Sequence, residues 1–319
     1  MPEPYAKPHL SYERQVGKLI ERGLHVPDVA AAAELLRHIG YYRLTGYLHS
    51  FRPIDEAGPD GHDQRLNSYV EGSTFEQVVA LWRFDRGLRL LLLDGLEQFE
   101  MSLRTSLAYR AGMIDPFIHH RPELLAQAFV DGSPSPYDEW LEKYEKRLRE
   151  SKNEAFVKWF EHKYESRLPI WTAIEILEFG QAVRLIHGLP TDLRRQIAGD
   201  FGLARPRAFE SWINSLNGVR NFCAHHARLW NRTLITIASR PREGEIPRLD
   251  HLADLDGVAR VKVYAPIAFL VWCLDRTPWG ADWKRELIRH LRTFPDLPQG
   301  SLANAGFPEE WESLELWAQ

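Results

Sequence analysis

Hydrophobic residues in this 319-residue chain recur mostly at helical spacing. The longest such segment follows Ser73-Thr74, a pair suited to cap a helix N-terminus. Its apolar stripe recurs every three or four residues, at Leu88, Leu92, Leu96, Phe99, Leu103 and Leu107. The pattern therefore predicts one long amphipathic helix over residues 75–111.

Shorter helical patterns lie on both sides of this segment. One begins at Pro206 and continues to about Ala227. Others are predicted at 11–22, 28–39, 138–165, 169–189, 256–276, 280–293 and 309–317. The aromatic segment 41–51 fits a helix or a strand, whereas 53–72 indicates a long loop and 131–136 a linker. We expect an all-α protein in which an N-terminal region, 1–72, packs on a helical domain, 73–319.

Composition and charge limit the class of protein. The chain is 44% hydrophobic and 26% charged, which excludes a disordered chain, and its net charge of −4 requires any nucleic-acid site to be local. Cys223 and Cys273 stand alone, which fits a reducing cytoplasm and excludes a Cys-based zinc site. The longest apolar run, 263–274, is too short to cross a bilayer. We predict a cytoplasmic protein without a membrane segment.

The segment that most strongly suggests a binding or catalytic site is basic. The chain lacks GxxxxGK[ST], HExxH, GxSxG and GxGxxG, the common nucleotide, zinc-protease and hydrolase motifs. Residues 201–248 contain eight Arg and three acidic residues, a local charge of +5, together with the adjacent pair His225 and His226. Arginine binds phosphate, and histidine can move a proton at a ribose 2′-OH. This combination favours RNA as the ligand.

Two Arg-x4-His matches occur in the chain. The first reads Arg220-Asn221-x-x-x-His225, and the second joins Arg285 to His290. Because both residue types are common here, the bare pattern has little specificity. The second match lacks the Asn and is interpreted as an ordinary solvated helix.

Five ordered stretches resemble the Abi family of bacterial abortive-infection proteins, the AbiD/AbiF-like group. They are IGYYRLTGYLHSFR at 39–52, TFEQVVALWRFDRGLRLLLLDGLEQFEMSLRTSLAY at 74–109, LPIWTAIEILEFG at 168–180, RNFCAHHARLWNR at 220–232 and GFPEEW at 306–311. The resemblance implies a HEPN-like helical bundle with additional N-terminal and C-terminal helices, acting as an RNase or RNA-binding toxin against phage. The Arg220–His225 match resembles the HEPN ribonuclease motif, and Glu100-x3-Arg104 resembles a second HEPN element, with a surface ion pair as the equal alternative.

Helical geometry constrains how these residues meet. At 100° per residue, Arg220 points toward packed surface, so Glu100 or Asp85 is expected to pair with it. His225 lies about 140° around the helix and about 7.5 Å further along. Either the helix bends near Ala224, or two chains share each site, which predicts a two-fold homodimer. Two such basic segments would repel unless RNA or acidic groups such as Glu97 lie beside them.

Roles follow from this interpretation. His225 is the expected general base or acid at the 2′-OH, Arg220 neutralises the phosphate, and Asn221 orients one of them. His226 is either a second proton carrier or, as slightly favoured, a packed histidine. The remaining candidates bind RNA: Arg228 and Arg232 through its backbone, and Trp230 through a base, although a core role is favoured for Trp230. No cofactor and no metal ion are expected, so cleavage leaves a 2′,3′-cyclic phosphate.

Three alternatives stay open. The aromatic and basic residues of 41–47, which include Tyr42, form either an RNA-binding face or, as favoured, a buried cluster. The protein is either an endoribonuclease or a catalytically inactive RNA-binding module or toxin component restrained by a noncoding RNA or protein antitoxin. In a third interpretation it acts through protein contacts alone, with Arg220 and His225 as core polar groups.

Overall fold

The computed structural model describes residues 4, 6, 8–55, 64–164 and 167–318, which form an all-α protein as predicted. Their α-helices are α1 (Tyr12–Glu21), α2 (Val29–Ile39), α3 (Tyr41–Leu48), α4 (Phe75–Gly112), α5 (Gln127–Val130), α6 (Pro136–Glu150), α7 (Ala155–Lys163), α8 (Ile170–Ala173), α9 (Phe179–Gly188), α10 (Thr191–Asp200), α11 (Pro206–Ala224), α12 (Tyr264–Leu274) and α13 (Gly280–Leu291). Two short antiparallel strands, β1 (Ile54–Asp55) and β2 (Gln64–Arg65), interrupt the loop predicted over 53–72, of which 56–63 lie outside the described residues.

Helix α4 is the central element of the fold. Its N-terminus carries a capping box, in which the Thr74 side chain accepts from the Gln77 N–H and the Gln77 side chain accepts from the Thr74 N–H. At 1.5 Å per residue it extends for about 57 Å. All six residues of the predicted apolar stripe are buried. Helices α3, α8, α9, α10, α11, α12 and α13 pack on it.

Two glycines of α4 allow the close approach of α13. A Cβ at Gly95 would lie 2.4 Å from the Trp283 ring, and one at Gly87 would lie 2.4 Å from the His290 ring. Trp283 Nε1 also donates to the carbonyl oxygen of Leu91 at 2.8 Å. These glycines therefore fix where the C-terminal helices join the core.

The N-terminal region packs on the same core. Helix α1 packs on α2, and α3 inserts Leu44 and Tyr47 against α4. The chain after α1 also bonds to the start of α4, where the His25 N–H donates to Ser73 O and the Phe75 N–H donates to His25 O, both at 2.9 Å. The division of the chain at residue 72 stays a prediction.

Some elements differ from their predicted form. The segment 41–51 is helical, which settles the alternative left open by its sequence. The charged segment 138–165 divides into α6 and α7, and α12 begins only at Tyr264. The helix predicted over 309–317 consists of two 3-10 turns, because Leu314 between them is extended (ψ 141°). Helix α10 was not predicted.

Among the described residues, no helix combines the length and the apolar character needed to cross a bilayer. Helix α4 is long but carries charged residues throughout, and the apolar α12 has 11 residues.

Candidate functional site

Helix α11 ends at Ala224, three residues before the predicted end. The His226 N–H bonds to Cys223 O at 3.1 Å and the Ala227 N–H bonds to Phe222 O at 2.9 Å. These two bonds form a Schellman C-cap, whose left-handed position usually holds glycine. Here that position is His226, with a φ of +56°. The helix therefore stops and reverses where the sequence had suggested a bend.

The histidine pair is consequently at a helix end and open to solvent. His225 is the C-cap residue, and its N–H still bonds to Asn221 O at 3.0 Å. His225, His226 and Asn221 are all exposed. An exposed imidazole pair on a turn can reach a bound ligand without rearrangement of the core. The packed role favoured for His226 was wrong, because the left-handed turn at the end of α11 leaves its side chain exposed.

Arg220 lies one turn earlier, half-buried against α4. It borders a cleft of about 420 Å³ that is also lined by Leu93, Asp94, Glu97 and Glu100; we call this the Arg220 cleft. His225 is not among the described residues that line it. The structure thus brings Arg220 together with Glu100 and leaves His225 on another face of the helix end. The surroundings of Arg220 are acidic.

Neither carboxylate expected to pair with Arg220 does so in the described part of the chain. Glu100 pairs with Arg104, whose Nη2 also donates to Leu177 O at 2.8 Å. Asp85 pairs with Arg89 on the same helix. The predicted pairing was wrong because each acid has an arginine four residues later, within reach on the same helix face.

The turn and chain after α11 form a segment that we call the motif loop, residues 225–232. Asp85, completely buried on α4, anchors it: the Trp230 N–H donates to Asp85 Oδ1 at 2.7 Å and the Leu229 N–H to Oδ2 at 3.2 Å. The Tyr47 hydroxyl of α3 donates to the same carboxylate at 2.6 Å, and Arg89 donates as well. One buried charge thus joins α3, α4 and the motif loop.

Helix α3 also contacts the outer side of the motif loop. Arg228 donates to Gly46 O, and Arg43 Nη1 approaches His226 O at 3.5 Å. Burial lowers the pKa of the Arg228 guanidinium. Arg228 therefore holds the loop against α3, and only part of its side chain faces solvent.

The end of the motif loop is built around Trp230. Its ring is 0% exposed, and its Nε1 donates to Ser301 O at 3.0 Å. In this position the ring has no open face for an RNA base, which matches the core alternative that its sequence favoured. Arg232 is half-buried, with its guanidinium 4.1 Å from the Phe222 ring centre. Of the three residues proposed to bind RNA, Arg228 and Arg232 keep partial exposure.

Sequence reasoning missed the anchoring role of Asp85, Arg89 and Tyr47. A signal was present, because Asp85 lies four residues after Leu81 and three before Leu88, on the buried stripe of α4. A carboxylate at a core position needs several donors, so it marks a place where other segments converge.

Two observations limit the reactions that the site can carry out. Burial raises the pKa of the Cys223 thiol to about 12, so this residue stays protonated near neutrality and is a poor nucleophile. Among the described residues, no group of three or more His, Cys, Asp or Glu side chains is arranged to hold a metal ion. His225 and His226, by contrast, are exposed and accessible to a ligand.

The second Arg-x4-His match has a different role. Arg285 is exposed and pairs with Asp282, as expected for a solvated helix face. His290, however, stacks on Phe84 with ring centres 4.7 Å apart, and its Nε2 lies 2.8 Å from Phe84 O. The solvated interpretation was wrong for His290, because Gly87 leaves room for its ring against α4.

Comparison with known proteins identifies a family for the region that holds these residues. The Abi-like protein family matches residues 34–231, more than half of the chain, a range that includes α3, α4, α11 and the motif loop up to Asn231. Comparisons with curated proteins and with solved structures found no match.

Proposed function

The chain belongs to the Abi-like protein family of abortive-infection proteins, and on this premise we propose that it is a metal-independent, HEPN-type endoribonuclease. One observation carries the proposal: His225 and His226 stand exposed at the end of α11, on a loop that also holds Arg228 and Arg232, and Arg43 of α3 reaches the backbone oxygen of His226. Imidazoles on a segment that also carries guanidinium groups suit a phosphodiester with an adjacent hydroxyl. Because RNA is the substrate, we place the protein in the cytoplasm.

The proposed reaction uses the RNA's own hydroxyl as nucleophile. His225 accepts the proton as the 2′-oxygen attacks the adjacent phosphorus, and the bond from phosphorus to the 5′-oxygen breaks. The leaving 5′-oxygen takes a proton from an imidazolium or from water. Arg220 neutralises charge on the phosphoryl oxygens, and Asn221 orients the phosphate or the imidazole. The products are a 2′,3′-cyclic phosphate and a 5′-hydroxyl.

Cleavage of a labelled single-stranded RNA in excess EDTA tests this reaction. We expect wild-type protein to yield a 2′,3′-cyclic phosphate end, and His225→Ala to lose about a hundredfold or more in rate, as for removal of a general base. The fold should survive, since His225 is exposed. His38→Ala, an exposed histidine on α2, and Arg285→Ala, from the second match, serve as matched controls. Undiminished cleavage by a folded His225→Ala protein would reject the assignment.

The active unit in this proposal is a homodimer with composite sites. Helix α11 remains regular up to His225, so the offset of about 140° between Arg220 and His225 persists. The Arg220 cleft is acidic and the motif loop is basic, so a two-fold arrangement can pair the cleft of one chain with the loop of the other.

Complementation between inactive chains tests the dimer. Arg220→Ala and His225→Ala proteins are each inactive alone, but statistical mixing makes half of the dimers heterodimers with one intact site. The mixture should regain about a quarter of the wild-type rate. If sedimentation under the conditions of the cleavage assay shows a monomer, and that monomer cleaves at the full rate, the composite site is rejected.

A second candidate function is an RNA-binding module or toxin component that does not cleave. The acidic lining of the Arg220 cleft favours it, because Asp94, Glu97 and Glu100 repel a phosphate near Arg220. RNA that binds tightly and remains intact with wild-type protein would identify this function. A noncoding RNA or protein antitoxin is then the expected restraint.

A further inference from the structure

The most exposed large hydrophobic side chain among the described residues is Tyr42 on α3, at 90% exposure. The tyrosines around it differ: Tyr47 is buried against Asp85, and Tyr41 is half-buried. The aromatic segment is therefore divided by the structure, with one ring left wholly in solvent. Covering such a ring with another flat apolar surface is favourable, because it removes apolar area from water.

Tyr42 lies beside the motif loop. The next residue, Arg43, reaches toward His226 O, and Gly46, one turn after Tyr42 on the same face, accepts from Arg228. Tyr42 thus lies on the part of α3 that contacts the motif loop and its histidines through Arg43 and Gly46. A single strand bound at the motif loop can therefore extend onto this part of α3.

The surface around α3 is positively charged. His49, one further turn along the Tyr42 face, has a pKa lowered by burial and by the charges of Arg65, Arg52 and Arg228. Asp85, the carboxylate that joins α3 to the motif loop, is neutralised by its pair with Arg89. Arg43 is exposed and points to the loop. An anion is therefore attracted to the face that carries the exposed ring.

We propose that the exposed face of α3 is a nucleotide subsite, where a base of single-stranded RNA stacks on Tyr42 and an adjacent phosphate binds Arg43. Stacking on aromatic rings along a basic surface is how proteins hold single strands without reading their sequence. The inference rests on the proposed action on RNA. It adds that the strand extends from the histidines across α3 and is unpaired there.

The chain supplies a matched control for this dipeptide. Tyr109-Arg110 at the end of α4 repeats the sequence Tyr-Arg, and Tyr109 is 63% exposed. Arg110, however, is engaged by Asp200, with its Nε donating to Oδ2 at 3.1 Å. In this second dipeptide the guanidinium lies 5.6 Å from the centre of the tyrosine ring, but its charge is already paired with an acid.

Fluorescence anisotropy with a labelled single-stranded RNA, in a His225→Ala background that stops cleavage, tests the subsite. Tyr42→Ala should weaken binding about tenfold, the size expected for one stacked base. Tyr42→Phe, which keeps the ring, and Tyr109→Ala should stay within about twofold. Arg43→Gln should reduce the slope of log Kd against log salt by about 0.7, the value for one phosphate of a single strand, and Arg110→Gln should leave it unchanged.

An oligonucleotide series with one abasic position locates the stacked base. One abasic site should weaken wild-type binding and have no further effect on Tyr42→Ala, because the stacking partner is already absent. The same RNA annealed into a duplex should bind equally to both proteins, since its bases are not available.

The outcomes separate this inference from the proposed function. If wild type cleaves RNA while Tyr42→Ala binds with unchanged affinity, the subsite is rejected and the nuclease stands. If RNA binds without being cleaved and Tyr42→Ala weakens it, the subsite stands and the nuclease is rejected. If wild type neither binds nor cleaves single strands, both are rejected.

Discussion

Helix α4 carries two acid–arginine pairs at the same spacing, each beneath one end of the candidate motif. Asp85 and Arg89 support the motif loop with its histidines, and Glu100 and Arg104 border the Arg220 cleft. Their local chemistry is alike, but Asp85 is completely buried and Glu100 keeps contact with solvent. The two pairs also differ in their backbone contacts. Asp85 accepts hydrogen bonds from two backbone N–H groups of the motif loop, whereas in the second pair Arg104 donates to one backbone carbonyl oxygen.

The difference shows that the two ends of the motif depend on different forces. The histidine end is placed by a buried charge whose donors come from three segments, so its geometry is coupled to stability. The arginine end lies on a regular helix beside solvated acids, so its properties depend on charge and on salt. Substitutions at the two pairs should separate these effects.

The largest effect is expected from Asp85→Asn. It leaves the buried Arg89 without a countercharge, which lowers the free energy of unfolding by about 3–5 kcal/mol. The motif loop loses its anchor, so RNA cleavage should fall with stability. Urea unfolding and a cleavage assay on the same preparation measure both. A loss below about 1 kcal/mol would show that the network is not the anchor.

His226→Gly should act in the opposite direction on stability. Glycine at the left-handed C-cap position removes backbone strain, so the free energy of unfolding should rise by up to about 1 kcal/mol. We expect cleavage to stay within about threefold, because the turn is preserved and His225 remains. A hundredfold loss of rate in the stabilised protein would instead make His226 a second proton carrier.

Glu100→Gln is the matched counterpart of Asp85→Asn. Arg104 keeps its bond to Leu177 O and some contact with solvent, so the free energy of unfolding should fall by about 1 kcal/mol or less. Thermal and urea unfolding measure this change. An effect as large as that of Asp85→Asn would mean that exposure does not distinguish the two pairs.

The smallest effect is expected from the double change Asp94→Asn and Glu97→Gln. If the Arg220 cleft faces the basic motif loop of a second chain, neutralising it should weaken dimer association about twofold to fivefold at low salt. The difference from wild type should vanish at high salt. Sedimentation across a salt series checks both statements, and an unchanged association constant would place these acids outside the interface.

The long central helix could be predicted from sequence because its information is local. A capping pair at Ser73-Thr74 and an apolar repeat extending to Leu107 specify where the helix begins and which face it buries. The helix over 206–224 is similarly apparent. Its end was misjudged because no glycine follows it, and a left-handed histidine gives no signal in the sequence.

The candidate motif was found by residue type and spacing, and the aromatic segment 41–51 was recognised as special. Their juxtaposition was not predicted, because Arg43 and His226 are 183 residues apart in the chain. Nor could the sequence tell which of Tyr42 and Tyr47 is exposed. Five positions apart, the two lie on different faces of a helix, but their spacing does not say which face meets the core.

The sequence by itself determined the all-α class, the stripe of α4 and the identity of the residues with acid–base chemistry, since these depend on neighbours within a few positions. The tertiary structure alone decided which of the two carboxylates is completely buried, which tyrosine remains exposed and where the motif loop lies. Those outcomes depend on burial, which is a property of the packed chain: only there does Asp85 become a buried charge that draws donors from α3 and the motif loop as well as from its own helix.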